Sequence, residues 1–576
     1  MNRFHWCRWC IVGAIVLAVS AVGCAPAAAP TTSAPAPTSA APATNAPAAT
    51  SAPATTAPAT SAPAATTAPT AASSGGGAAN TLVIGMDTSD MITLDPGVGY
   101  EFTDDLITHN VYETLVMFQG ADLSTIKPGL ATKWETKDAG DHWEVTFHLR
   151  TDAKFSSGNP VTADDVVYSF QRVISLNKSP AFLFTDDLGL KTDSIKATDP
   201  QTVVISMPKT SSVGDLLSIL TFTVGSVVDS KTVKSHEQNN DFGSGWLLDH
   251  SAGSGPYMID HWQKETEVLL KANPNYVGTK PGLSQVLIKH IPEATNQQAA
   301  LDKGDIDIAR NLSPELFAAE KGKAGVQTIA ADSTLLVYIG MNATVKPLDN
   351  PKVREAIRTA IDYNGIIQDL LGGNAKKVQT IIPSGFLGFN PDAPFQQDIP
   401  AAKKLLSDAG QTGSISLDLL VPTGPAPGGV AWSDLAAKVQ SDLAQIGITV
   451  NIKQTTQASL LDTYRAQKGQ LIMILWGPDF PDPDANVTPF TDYSAKSIAW
   501  RNAWDDKTIA AQAHAAALET DATKRAADYK TITEYVLHNG PYVILYQPLE
   551  LLGLRSNIKG FAWSPIGWTD FWTVTK

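Results

Sequence analysis

Apolar residues recur at two spacings along most of this chain. In HWEVTFHLR (142–150), Trp143, Val145, Phe147 and Leu149 alternate with polar neighbours, which predicts a half-buried strand. In PVTADDVVYSFQRVI (160–174), Thr162 and Asp165 form a capping-box pattern, and Val166, Phe170 and Val173 follow at helical spacing. A second helix is predicted in DNPKVREAIRTAID (349–362): Asn350 caps, Pro351 takes the first turn, and Val353, Ala356, Ile357, Ala360 and Ile361 share one apolar face. SDLAAKVQSDLAQIGITVNI reads as a helix stopped by Gly447, then a strand alternating through Ile448, Val450 and Ile452. AAKKLLSDAG (401–410) is another short helix ended by glycine. Strands and helices intermix from end to end, so the expected class is α/β.

This patterning begins only at Thr81. Residues 25–80 hold Ala, Pro, Thr, Ser and Gly apart from Asn45 and Asn80. Such a segment has too little large apolar surface to offset its ordering entropy, which predicts a disordered tether over 24–80. Ahead of it, residues 1–23 have the form of an export signal, with Arg3 and Arg8 before the short apolar stretch Ile11–Val22. Ala21-Val22-Gly23-Cys24 resembles a bacterial lipobox, with Ala21 where leucine is more usual, and makes Cys24 the expected lipidation site. Cys7 and Cys10 fall in the part that would be removed, so a mature chain keeps one of its three cysteines and forms no internal disulfide.

At 576 residues the chain exceeds what one core usually supports, so two or more lobes are expected. A formal charge of −14 argues against a nucleic-acid partner or an anionic membrane surface, both of which call for a basic face. No H-E-x-x-H, phosphate-binding loop or G-x-S-x-G elbow occurs, and no cofactor or metal is expected.

The stretch that carries chemistry is WGPDFPDPDAN (476–486), directly after the apolar run LIMIL. Asp482-Pro483-Asp484-Ala485-Asn486 begins like a calcium-binding loop, but Val487 and Tyr493 occupy the positions that need glycine and glutamate. Asp482 and Asp484 are therefore read as acids that cap and solvate an exposed, proline-forced turn. Asp479 is different. It leaves the strand first, three residues after Trp476, and an aromatic wall beside one unpaired acid suits an ammonium group.

Six stretches, in this order, resemble the family 5 solute-binding proteins of bacterial ABC importers. They are LRTDAKFSSGNPVTADDVVYSF (149–170), GSGPY (253–257) with KANPNY (271–276), LDKGDIDIA (301–309), DNPKVREAIRTAID, AAKKLLSDAG and WGPDFPDPDAN. The likeness spans essentially residues 81–576. It implies a two-lobed clamp resembling the periplasmic binding proteins, with lobe one at 81–310 plus 549–576, lobe two at 311–548, and the chain crossing the hinge twice. It implies that Asp479 pairs with a peptide α-ammonium, and that Trp476 and Gly477 belong to a stretch whose backbone binds peptide as an added strand. Tyr100, Glu101 and Phe102, in VGYEF, match a loop at the cleft edge, with ordinary packing of Tyr100 and Phe102 as the alternative. Trp500, with Trp504, lines the cleft in a sugar binder or else packs in the core.

Two departures stand out. The loop VPTGPAPGG (421–429) has no arginine for a ligand carboxylate, and upstream of LIMIL only Arg465 and Lys468 are basic. The expected function is a lipid-anchored receptor, exported to the outer face of the cell membrane, that hands peptides to the transmembrane subunits of an ABC permease. It is expected to be a monomer, to touch the membrane only through its lipid, and not to be an enzyme. Oligosaccharide or nickel-complex binding are alternatives within the class; a secreted hydrolase and a surface adhesin are the alternatives outside it.

Overall fold

The computed structural model describes residues 80–576; the expected signal segment 1–23, Cys24 and the tether up to residue 79 lie outside the described residues. The elements intermix as the periodicity predicts. His142–Leu149 is a strand, and Ala163–Leu176 is a helix whose Asp165 carboxylate accepts from the backbone N–H of Thr162 at 2.9 Å. Helix Pro351–Ala360 is capped by Asn350, whose side chain accepts from the Lys352 N–H at 3.0 Å, and Val353, Ala356, Ile357 and Ala360 are fully buried. Helix Trp432–Ala444 leads through Gly447, at φ 82°, into strand Ile448–Thr455.

Among the described residues twelve strands, the short Ala375–Lys376 included through its pairing with Gln547 and Pro548, form one connected sheet around a single long strand, Tyr542–Arg555. Its first half pairs antiparallel with Leu336–Met341, next to which stand Leu471–Trp476, Ile415–Pro422 and Ile448–Thr455. Its second half pairs with Val326–Asp332 and Ile308–Ala309, followed by Thr81–Met86, Gln285–His290, Glu267–Ala272 and Tyr257–Gln263. Strands Thr81–Met86 and Leu336–Met341 are buried at every position, as strands covered on both faces must be. A separate four-stranded antiparallel sheet, built from Ala131–Asp138, His142–Leu149, Thr202–Pro208 and Ile195–Asp199, packs with helix Ala163–Leu176 over its own core.

The chain therefore forms two bodies joined at two crossings. One crossing is residues 333–335, between the strands that pair with opposite halves of Tyr542–Arg555; the other is Gln547-Pro548 within that long strand. The crossings are stitched together: Ser333 Oγ donates to the Pro548 carbonyl at 2.7 Å, and Gln547 Nε2 donates to the Ser333 carbonyl. Phe480 and Ala485, which follow strand Leu471–Trp476, sit in the core of the small sheet's body, so the two bodies meet on either side of residues 477–485.

One buried ion pair fixes the loop that faces this junction. Arg172, on helix Ala163–Leu176, donates from Nη1 to Asp95 Oδ1 at 2.7 Å and from Nε to the Phe242 carbonyl at 2.7 Å. Ser244 Oγ completes the set by donating to Asp95 Oδ2 at 2.8 Å. Asp95 is fully buried and Arg172 nearly so. Replacing Arg172 with alanine leaves a buried carboxylate without its cation, and unfolding by denaturant is expected to show a loss of about 3–5 kcal/mol. A loss below about 1 kcal/mol contradicts that role.

Candidate functional site

The centre of the junction is the end of strand Leu471–Trp476. Gly477 follows that strand, where a Cβ would come within 2.9 Å of Leu335 Cδ2, the tip of a side chain at the first crossing. Asp479 follows, half-buried, and its Oδ1 accepts a hydrogen bond from the phenol of Tyr100, 379 residues away on the other body. The Tyr100 ring is fixed by edge-on contacts with Phe182 at 5.8 Å and Phe222 at 6.1 Å. Five residues before it, Asp95 anchors the loop and accepts from the Gly99 N–H through its carbonyl at 2.8 Å.

Burial pushes the Asp479 carboxyl up from the usual range, opposed by the Tyr100 hydrogen bond and by the charge of Arg501. The Tyr100 phenol is pushed up by burial and then by the charge of Asp479, so it stays protonated and acts as the donor. Asp187, from the small sheet's body, is pushed up to about 7 by desolvation and then by Asp479 and Asp484. Among the described residues, no Lys, Arg or His lies within ion-pair distance of Asp479. A half-buried acid that holds one neutral donor and no cation is an electrostatic site for a positive group.

The neighbouring acids are engaged in other ways. Asp482 is not solvated: it is buried and takes two hydrogen bonds from Arg525, at 2.8 Å each, while Arg525 reaches Asp215 of the other body at 3.5 Å. The expectation of an exposed turn fails because Phe480 carries 477–485 into the opposing body, where an acid needs a partner. Asp484 accepts from Thr488 Oγ1 at 2.8 Å on its own helix, Asp484–Thr491, and Asn486 Nδ2 donates to the Ile381 carbonyl at 2.7 Å. These residues therefore turn and stitch the chain.

The remaining candidates are placed as follows. Trp476 is half-buried, its ring edge-on to Phe490 at 6.1 Å and its Nε1 donating to the Ala485 carbonyl at 3.3 Å. Glu101 stands exposed just before helix Phe102–Val111, and Phe102 is 60% exposed. Trp500 packs on Tyr493 at 4.7 Å under the Lys496 ammonium, 3.3 Å from its ring, and donates to the Arg465 carbonyl. Trp504 is buried edge-on to Tyr542. The structure thus brings Tyr100 to Asp479, leaves Trp476 and Gly477 beside it in the chain, and does not bring Glu101, Phe102 or Trp500 into contact with it. Sequence reading missed Arg525 and Asp215. A signal did exist for Arg525, a cation in line with Tyr529, Ile532 and Val536 on the buried face of helix Ala522–Asn539.

Just past Tyr100, Asp104 is fully buried in the first turn of helix Phe102–Val111 and accepts from the Ile92 N–H at 3.2 Å. Desolvation pushes its carboxyl up to about 7 despite that bond and one from Thr93, with Asp90 and Glu101 adding to the rise. Its folded value exceeds the unfolded one, so its stabilising effect is present below about pH 4 and is lost as pH rises towards 7. Thermal melts are expected to show a smaller fall between pH 5 and pH 8 for Asp104→Asn than for the parent chain; an identical fall contradicts this.

Comparison with known proteins agrees with this architecture. The model of bacterial extracellular solute-binding proteins, family 5 (middle), matches residues 125–497. The chain is 30% identical over 491 residues to the probable D,D-dipeptide-binding periplasmic protein DdpA of Escherichia coli K12, covering 84% of this chain and 92% of that protein. It is 28% identical to di/tripeptide-binding protein 2 of Pseudomonas aeruginosa, covering 82% and 90% respectively. Among solved structures, that of HbpA2 from Haemophilus parasuis superposes with a TM-score of 0.76 at 25% identity, over 86% of this chain and 99% of that one.

Proposed function

Because the chain belongs to the bacterial extracellular solute-binding proteins of family 5, which are binding proteins and not enzymes, we propose that it captures peptides between two closing lobes for an ABC importer. The first lobe is taken as residues 81–332 with 549–576 and the second as 336–546, which moves the boundary about twenty residues past 310 because Val326–Asp332 pairs with Leu549–Arg555. Asp479 holds the peptide α-ammonium, and the backbone around Trp476 and Gly477 pairs with the peptide as an added strand. The likeness to the probable D,D-dipeptide-binding protein DdpA and to di/tripeptide-binding protein 2 supports this cargo.

The observation that carries the reading is the half-buried, cation-free Asp479 reached by Tyr100 across the junction. A ligand bridging both lobes favours the closed form only through its greater affinity for that form. Closure removes water from around Asp479 and strengthens its attraction for a cation. Tyr100 orients the carboxylate with a neutral hydrogen bond, which leaves the negative charge for the ligand. The sugar alternative is less well served, because Trp500 and Trp504 are occupied with Lys496 and Tyr542 and do not form a stacking wall at Asp479.

The wider setting follows the sequence. Cys24 bears the lipid that holds the protein at the outer face of the cell membrane, residues up to 80 act as the tether, and the monomeric clamp delivers its cargo to the permease. Among the described residues no helix is long and apolar enough to cross a membrane. Asp479→Asn is expected to weaken binding of di- and tripeptides with a free amino terminus by roughly 1.5–3 kcal/mol, the scale of a hydrogen bond to a charged group. Titration calorimetry with N-acetylated versions is expected to find their affinity nearly unchanged. Equal losses for both sets contradict the anchor.

A further inference from the structure

We infer that the first lobe carries a chamber for a cationic side chain of the bound peptide, with Asp105 as its counter-ion. This rests on the peptide reading above and specifies which peptides the protein prefers.

The chamber lies behind Tyr100. Phe222 forms part of its wall and also touches the Tyr100 ring, so the chamber is one ring away from the phenol that reaches Asp479. Tyr112, Phe222, Trp568 and Trp572 line one part of it, with Phe222 stacked on Trp568 at 6.2 Å, and threonine and serine side chains are among those that line the rest. A volume of about 50 Å³ is several times the roughly 10–15 Å³ that seats one water, so it admits the end of an alkylammonium or guanidinium chain.

Three titratable groups of the wall bear on its charge, and two of them are already answered. His109 Nε2 meets Asp570 Oδ1 at 2.8 Å, and Glu113 Oε1 faces the Arg150 cation at 3.4 Å, although its Oε2 is enclosed without a hydrogen bond. Asp105 is not. It is 6% exposed, its Oδ1 is enclosed and takes no hydrogen bond from any described residue, and burial, then the charges of Asp104, Glu101 and Asp90, push its carboxyl well above the usual range, so that it calls for a cation to ionise. A carboxylate buried among aromatic faces without a partner is costly, and a desolvated cation brought between those rings meets both its charge and the negative faces of the π-systems. An apolar side chain entering the same space gains the ring contacts but leaves the acid unpaired.

Calorimetry on the intact chain separates these cases, using Lys-Ala-Ala and Ala-Lys-Ala against their norleucine counterparts, which keep the aliphatic chain and lose the charge. At least one lysine peptide is expected to bind about tenfold or more tighter than its norleucine twin. In Asp105→Asn that preference is expected to vanish while the norleucine peptides keep their affinity. Equal affinities within both pairs for the unmodified chain overturn the chamber and leave the peptide reading standing, and this comparison does not depend on the variant folding. A lysine preference that persists in Asp105→Asn removes Asp105 from the role. If none of the four peptides binds, the peptide reading fails and the chamber with it.

Discussion

A carboxylate held partly out of water calls for a positive partner, and among the described residues none lies within ion-pair distance of Asp479, the charge of Arg501 acting on it only from further away. Its one strong contact, the hydrogen bond from Tyr100, is neutral and comes from the opposite lobe. That arrangement orients the acid without cancelling it. The neighbouring Asp482 is the contrast: Arg525 neutralises it with two hydrogen bonds, so it serves to hold chain against chain. Two acids three residues apart thus differ in their surroundings: one has a cation within ion-pair distance and the other has not.

The fold places these groups by long-range means. Tyr542–Arg555 runs through both halves of the sheet, so the lobes share one strand and one pair of crossings stitched by Ser333 and Gln547. Asp479 is delivered from the second lobe at the end of a buried strand, and Tyr100 from the first at the end of a loop clamped by Asp95 and Arg172. Phe480 and the Arg525–Asp215 contact cross the junction beside Asp479 as well, so the two lobes are in contact where these residues meet.

Much of the local structure was readable from periodicity. The strand at 142–149 and the helices at 163–176, 351–360 and 432–444 lie where two- and 3.6-residue spacing puts them, and Asn350 and Asp165 cap as their positions suggest. These features depend on neighbours within four residues. Three others do not. The pairing of 326–332 with 549–555, the insertion of Phe480 into the opposing core and the Arg525–Asp482–Asp215 link join residues 43 to more than 200 positions apart, and no local spacing encodes them. Asp479 itself was legible as a candidate because it leaves an apolar strand. That Tyr100 faces it, and that Trp500 instead sits beneath Lys496, depends on how the lobes and surface helices pack.

The most direct measurement is a crystal structure of the tether-free body with a short peptide that has a free amino terminus. The account predicts the peptide's terminal nitrogen at about 3 Å from an Asp479 carboxylate oxygen, with Tyr100 still on the same acid or displaced by that nitrogen. A peptide whose amino end lies elsewhere, while Asp479 faces bulk solvent or remains bound by Tyr100 alone, would contradict it.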